Sequence, residues 1–137
     1  MAARSKARRR AVEALYESDL RDQGADDALA SLAGRMQSPV NPYTEQIVRG
    51  VAAHSEQIDE TVSTYAQGWA LGRMPAVDRA ILRVGTWEVL WGDVPDGAAL
   101  AEAVGLANEL STDESGGYIN GVLARIKDVK PRMVLGE

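Results

Sequence analysis

Apolar residues in this chain recur at intervals of three and four, and nowhere do they alternate with the period of two that marks a half-buried strand. The pattern predicts helices alone. From Ser5 to about Asp22, Val12, Leu15, Tyr16 and Leu20 share one face, with Ser5 as the expected N-cap. After DQGADD a short helix covers about Asp27 to Arg35, with Leu29 and Leu32 on one side, and MQSPVNP ends it. Asn41 followed by Pro42 pairs a capping side chain with a residue suited to the first helical turn. The pair opens a long periodic stretch in which Ile47, Val51, Ile58, Val62, Tyr65 and Trp69 keep one face apolar. His54 and Ser55 interrupt that face, so two helices should meet near Ser55, and the Gly68 to Gly72 region closes the second.

Pro75 begins PAVDRAILRVGTWEVLWGD, in which Val77, Ile81, Leu82, Val84, Trp87, Val89, Leu90 and Trp91 occupy most of the circumference. A helix apolar nearly all round belongs at the centre of a fold. Pro95 and Asp96 open DGAALAEAVGLANEL, and STDESGG separates it from a last helix carrying Tyr118, Ile119, Val122, Leu123 and Ile126. The expectation is an all-α chain of about seven helices joined by short loops, forming a single domain over residues 1–137. A chain of this size buries roughly two thirds of the surface it exposes unfolded, enough for a core without staples.

Charge adds an asymmetry that the helical pattern does not explain. Arg4, Lys6, Arg8, Arg9 and Arg10 put +5 into the first ten positions with no acid among them, while the other 127 residues carry 10 basic and 20 acidic side chains. Cations at a helix N-terminus repel one another and oppose the helix dipole. Something other than the helix itself should account for them, and the phosphates of single-stranded RNA are suited to guanidinium groups, with nearby aromatics stacking unpaired bases.

Chemistry narrows the options further. Cysteine is absent and His54 is the only histidine, so thiolate nucleophiles, cysteine metal sites and a histidine relay lack their residues. GVAAHSEQ, GWALGRMP and SGGYINGVL match no phosphate loop or dinucleotide fingerprint. Asp113 and Glu114 are adjacent acids placed to interact with the N-terminal end of the last helix rather than to act as acid and base. The expectation is a protein without catalytic residues, metal or cofactor. No apolar run approaches the roughly 20 residues of a membrane span, and the basic start lacks the apolar core of a secretory signal, which together point to the cytoplasm.

ARRRAVEALYESDL, PAVDRAILRVGTWEVL and STDESGGYINGVLARI, with the intervening YTEQIVRGVAAHSEQID, resemble in content and order the blocks of the NusB family of bacterial transcription antitermination factors. The resemblance implies two perpendicular packed three-helix groups. It further implies binding to the boxA element of ribosomal RNA transcripts together with the small-subunit ribosomal protein NusE, acting on elongating RNA polymerase with other Nus factors. NusB-like domains also occur fused to an RNA cytosine methyltransferase, for which 137 residues leave no room, so the freestanding factor is the better match. Homodimers are known in the family, and the apolar share of the central and last helices permits one here.

Site residues follow from both lines. Arg4, Lys6, Arg8, Arg9 and Arg10 are the expected phosphate contacts. By resemblance, Tyr65 and Tyr118 match aromatic positions beside bound RNA, where each either stacks on a base or packs in the fold. Tyr16 lies on the apolar face of the first helix, yet its family counterpart borders RNA. Glu114 matches an acidic position at the RNA surface, although the GGY that follows Ser115 departs from family members with a bulkier or basic residue there. Asn120 and Gly121 are expected to hold a loop and admit a neighbouring helix. Asp78, Arg79, Trp87 and Glu88 on the central helix are the expected NusE contacts, with Trp87 as plain core the competing assignment. A different class stays open, a helical protein-binding adaptor whose basic N-terminus meets an acidic partner. A third option, an Arg-rich organellar presequence, fits less well because the same helix continues into acidic residues.

Overall fold

The structure is a computed structural model that describes residues 3–137. Its α-helices are α1 (Ala3–Arg21), α2 (Ala25–Met36), α3 (Pro42–Ala53), α4 (Ser55–Tyr65), α5 (Ala76–Trp91), α6 (Asp96–Leu110) and α7 (Asp113–Val129), with 3-10 turns at Leu71–Arg73 and Lys130–Arg132. No strand occurs among the described residues.

Helix ends follow local chemistry closely. Asn41 caps α3 by accepting a hydrogen bond from the Tyr43 N–H at 2.8 Å, and Pro42 fills the first turn, where a missing N–H costs nothing. His54 separates α3 from α4, its N–H donating back to the Gly50 carbonyl at 3.1 Å. Two expectations are corrected. Ser5 lies inside α1 instead of capping it, and its hydroxyl donates to Glu102 Oε1 at 2.7 Å. Trp69 is not on the α4 face: the helix ends at Tyr65, and Gly68 at φ 81 turns the backbone into the left-handed region that glycine alone enters without strain.

Helices α1, α2 and α3 pack on one another, and so do α5, α6 and α7. These are the two three-helix groups. Helix α5 joins them by lying also against α1, α3 and α4, and it buries eleven of its sixteen residues. Ile47, Ile58, Ile81, Leu82, Ile119, Leu123 and Ile126 are fully buried in one continuous core. Each stabilises the fold by about 1.5–3 kcal/mol relative to exposure.

Glycines set how closely the two groups approach. A Cβ on Gly50 of α3 would overlap the Trp87 indole of α5, so the ring packs directly on the α3 backbone. A Cβ on Gly85 would come within 2.7 Å of Leu123 Cδ1 on α7. Gly121 does not serve this purpose, because nothing lies within 4 Å of where its Cβ would be, and Asn120 is exposed.

Candidate nucleic-acid interface

The N-terminal turns of α1 are surrounded by acids from other helices. Arg8 is only 4% exposed; its Nε lies 2.8 Å from both carboxylate oxygens of Glu88, and its Nη1 is 3.5 Å from Glu102. The Tyr43 hydroxyl donates to the same Glu88 carboxylate. Burial works against the Arg8 charge, but the hydrogen bond and attraction of Glu88 outweigh it and hold the guanidinium protonated above its usual range. Burial and the Glu88 hydrogen bond likewise push the Tyr43 phenol above its usual value. This corrects the assignment of Arg8 to phosphate, since its guanidinium is buried and turned to carboxylates inside the protein.

The remaining cations of the segment face outward. Arg4 Nη1 is 3.1 Å from Asp93 Oδ1, with its guanidinium 4.3 Å from the Tyr43 ring centroid. Arg9 pairs with Glu109 of α6 and lies 3.6 Å from Glu13; Arg10 lies 3.0 Å from Glu13. Lys6 is exposed and has no ion pair among the described residues. Part of the repulsion built into the sequence is thus offset by carboxylates that the fold brings from 80 to 100 positions away. Three exposed cations, Arg4, Lys6 and Arg10, and the half-buried Arg9 still line one end of α1.

A second cluster forms where α4 ends against α7. Trp69 meets Tyr118 edge to face, with ring centroids 5.3 Å apart and planes at 83°. Tyr118 is half-buried while its hydroxyl is fully buried without a partner, so the part it leaves open is ring. Burial raises its pKa, and the charge of Arg125 opposes that rise. Arg125 Nη1 donates to the Tyr65 carbonyl at 3.3 Å. Glu114 is exposed in the first turn of α7. The structure therefore sets Tyr118 against Trp69, a residue expected on the α4 face, and ties the Tyr65 backbone to the same helix through Arg125.

The expected partner surface on α5 is corrected. Asp78 is 0% exposed and accepts hydrogen bonds from Ser111 at 2.6 Å and Ser115 at 3.0 Å, tying α5 to the start of α7. Trp87 is core, and Glu88 is consumed by Arg8 and Tyr43. Arg79 is half-buried, 2.6 Å from Asp19, and also donates to the Leu71 carbonyl at 3.0 Å. The reason is the position of α5: the faces that carry Asp78, Trp87 and Glu88 are covered by neighbouring helices, and only part-buried positions such as Val77, Arg79 and Arg83 reach the surface. Acids inside a helix that is apolar nearly all round are buried, and burial there demands the internal partners that Asp78 and Glu88 have.

An open apolar surface does exist nearby. Tyr16 and Leu20, 40% and 60% exposed, line a groove of about 750 Å³ with Val12, Pro75, Val77 and Leu110. Glu13, Glu17, Arg21 and Arg35 stand at the same groove. Tyr16 therefore belongs to a surface between α1 and the start of α5.

Among the described residues no group of three histidine, cysteine or acidic side chains could hold a metal ion, and no helix is long and apolar enough to cross a membrane. The NusB family pattern matches residues 5–128. The chain belongs to the NusB family. Within it, the transcription antitermination protein NusB of Arthrobacter sp. (strain FB24) is 53% identical over 135 residues, covering 98% of this chain and 99% of that protein. The structure of T. maritima NusB superposes with a TM-score of 0.81 at 27% identity, covering 93% of this chain and 92% of that one. A crystal structure of NusB and NusE in complex with double-stranded RNA shares the fold, with a TM-score of 0.81 at 24% identity over 92% of this chain and 96% of that one. Both structures thus share this helical arrangement over more than nine tenths of the chain.

Proposed function

We propose that this chain is a transcription antitermination factor that binds the boxA RNA of ribosomal RNA transcripts together with ribosomal protein NusE, and acts on elongating RNA polymerase with other Nus factors. The observation that carries this reading is the identity of 53% along 98% of the chain with a transcription antitermination protein NusB. The geometry supports RNA contact in two ways. Arg4, Lys6 and Arg10 offer exposed cations and Arg9 a half-buried one, and the ion pairs of the three arginines are of the surface kind, worth about 0.2–1 kcal/mol each, which phosphate can displace. Tyr65, Trp69 and Tyr118 offer aromatic surface for unpaired bases. NusE docks, on this reading, in the groove at Tyr16 and Leu20, where large apolar side chains are open to solvent. The protein acts in the cytoplasm by binding and without turnover.

A second reading, the protein-binding adaptor, has one observation in its favour: the basic helix already holds carboxylates, so the acids of a partner could replace them. Titration with boxA RNA and with scrambled RNA of equal length, each with and without NusE, separates the two. The antitermination reading expects boxA preference, enhanced by NusE. With four single-strand phosphate contacts at about 0.7 each, log affinity should fall with log salt at a slope of about −2.8. Absence of RNA binding, with NusE still bound, selects the adaptor.

A further inference from the structure

The solvent-accessible arginines differ in what already occupies them. In α1, Arg4, Arg9 and Arg10 each hold a carboxylate, from Asp93, Glu109 and Glu13. Arg125, exposed on α7, holds none among the described residues; its one hydrogen bond goes to the backbone carbonyl of Tyr65. A carbonyl orients a guanidinium without neutralising it, and leaves most of its five donors open. Seven residues, about two turns, separate Arg125 from Tyr118, so the two share a face of α7. On that face Tyr118 is met by Trp69, and the Tyr65 backbone carbonyl accepts from Arg125 itself.

We propose that Arg125 is a phosphate-binding residue of the RNA surface, gripping the backbone of a nucleotide whose base stacks on the Trp69 and Tyr118 pair. This rests on the RNA-binding reading above. Arg9 must release Glu109 before it takes a phosphate, whereas Arg125 releases nothing and keeps its carbonyl anchor. Its neighbour Lys127 provides the comparison: it is equally a cation, exposed, two positions on, and so turned about 200° around the helix away from the cluster.

The test compares the wild type with Arg125→Gln, Arg125→Lys and Lys127→Gln, each titrated with boxA RNA and scrambled RNA over a range of salt concentrations. Circular dichroism and thermal unfolding verify that each is folded. Arg125→Gln should lower affinity for both RNAs by about fivefold to tenfold at low salt, and flatten the salt slope by about 0.7. Arg125→Lys should keep the slope, and Lys127→Gln should stay within about twofold of wild type. Unchanged binding by folded Arg125→Gln overturns the proposal. So does an equal loss in Lys127→Gln, which would mark a diffuse field rather than a placed contact. If the wild type bound neither RNA, the RNA-binding reading would fall first and this assignment with it.

Discussion

The Arg8 guanidinium lies 2.8 Å from the Glu88 carboxylate, eighty positions away in the chain, with the two residues 4% and 1% exposed. Removing one member leaves the other charge buried and uncompensated. Arg8→Ala should therefore cost about 3–5 kcal/mol of stability, and an Arg8→Met, Glu88→Leu double variant should be less damaging than either single change. Urea unfolding measures both. A folded Arg8→Ala protein as stable as wild type would show that the pair carries no such energy.

Tyr43 adds a pH dependence to the same cluster. Burial, with the hydrogen bond to Glu88, raises its pKa, so the native state retains a proton that the unfolded chain releases near pH 10. Its contribution is complete below about pH 10 and is lost as pH rises beyond that toward the native value. Tyr43→Phe should flatten the alkaline fall in stability above about pH 10, although it starts from a lower value for want of the hydrogen bond. An alkaline limb of the same steepness in the variant would count against the coupling.

Gly50 and Gly34 should respond to alanine in opposite directions. At Gly50 the new methyl group meets the Trp87 indole, which has no room to retreat within the core, so Gly50→Ala should cost about 1–3 kcal/mol or more. Gly34 lies inside α2 with nothing within 4 Å, so Gly34→Ala should stabilise by about 0.5–1 kcal/mol. Thermal unfolding midpoints that moved in the same direction would contradict the packing described at α3 and α5.

Asp78 is a structural anchor. Asp78→Ala removes the acceptor of Ser111 and Ser115 and should lower stability by about 1–3 kcal/mol, while the folded fraction binds NusE as wild type does. Tyr16→Ala or Leu20→Asp should do the reverse, weakening NusE with little change in stability. Calorimetric titration alongside urea unfolding separates the two effects. Selective loss of NusE binding in a fully stable Asp78→Ala protein would return the partner surface to α5.

Tyr118 should contribute its ring and not its hydroxyl. Because that hydroxyl is buried without a partner, Tyr118→Phe should keep RNA affinity within about twofold and leave stability equal or slightly higher. Tyr118→Ala should lose a stacking contact worth about 1–3 kcal/mol, roughly 5- to 150-fold in affinity. A Phe variant as weak as the Ala variant would move the recognition to the hydroxyl.

The elements themselves were legible because their causes are local. Asn41 with Pro42, the interruption at His54 and Ser55, and Pro75 ahead of an apolar run each act within one or two turns of backbone, so helix order and most boundaries follow without knowledge of the fold. Trp69 was placed on the helix face because the hydrophobic period continues past Tyr65, whereas the helix ends there, with Ala66 as its cap, before the glycine region that signalled its close.

The site divided differently. That the α1 end is basic, that a cluster of aromatics is available, and that α5 is central are properties of the sequence alone. Which cations remain available is not: Arg8 and Arg9 are identical in type and adjacent in order, but they stand about 100° apart on the helix, so one enters the interface with α5 while the other reaches solvent and Glu109. The same holds for Asp78 and Glu88, whose burial was set by helices arriving from both sides. Charge is carried by the residue, whereas its availability depends on dielectric, solvent access and partners, and only packing between distant segments decides those.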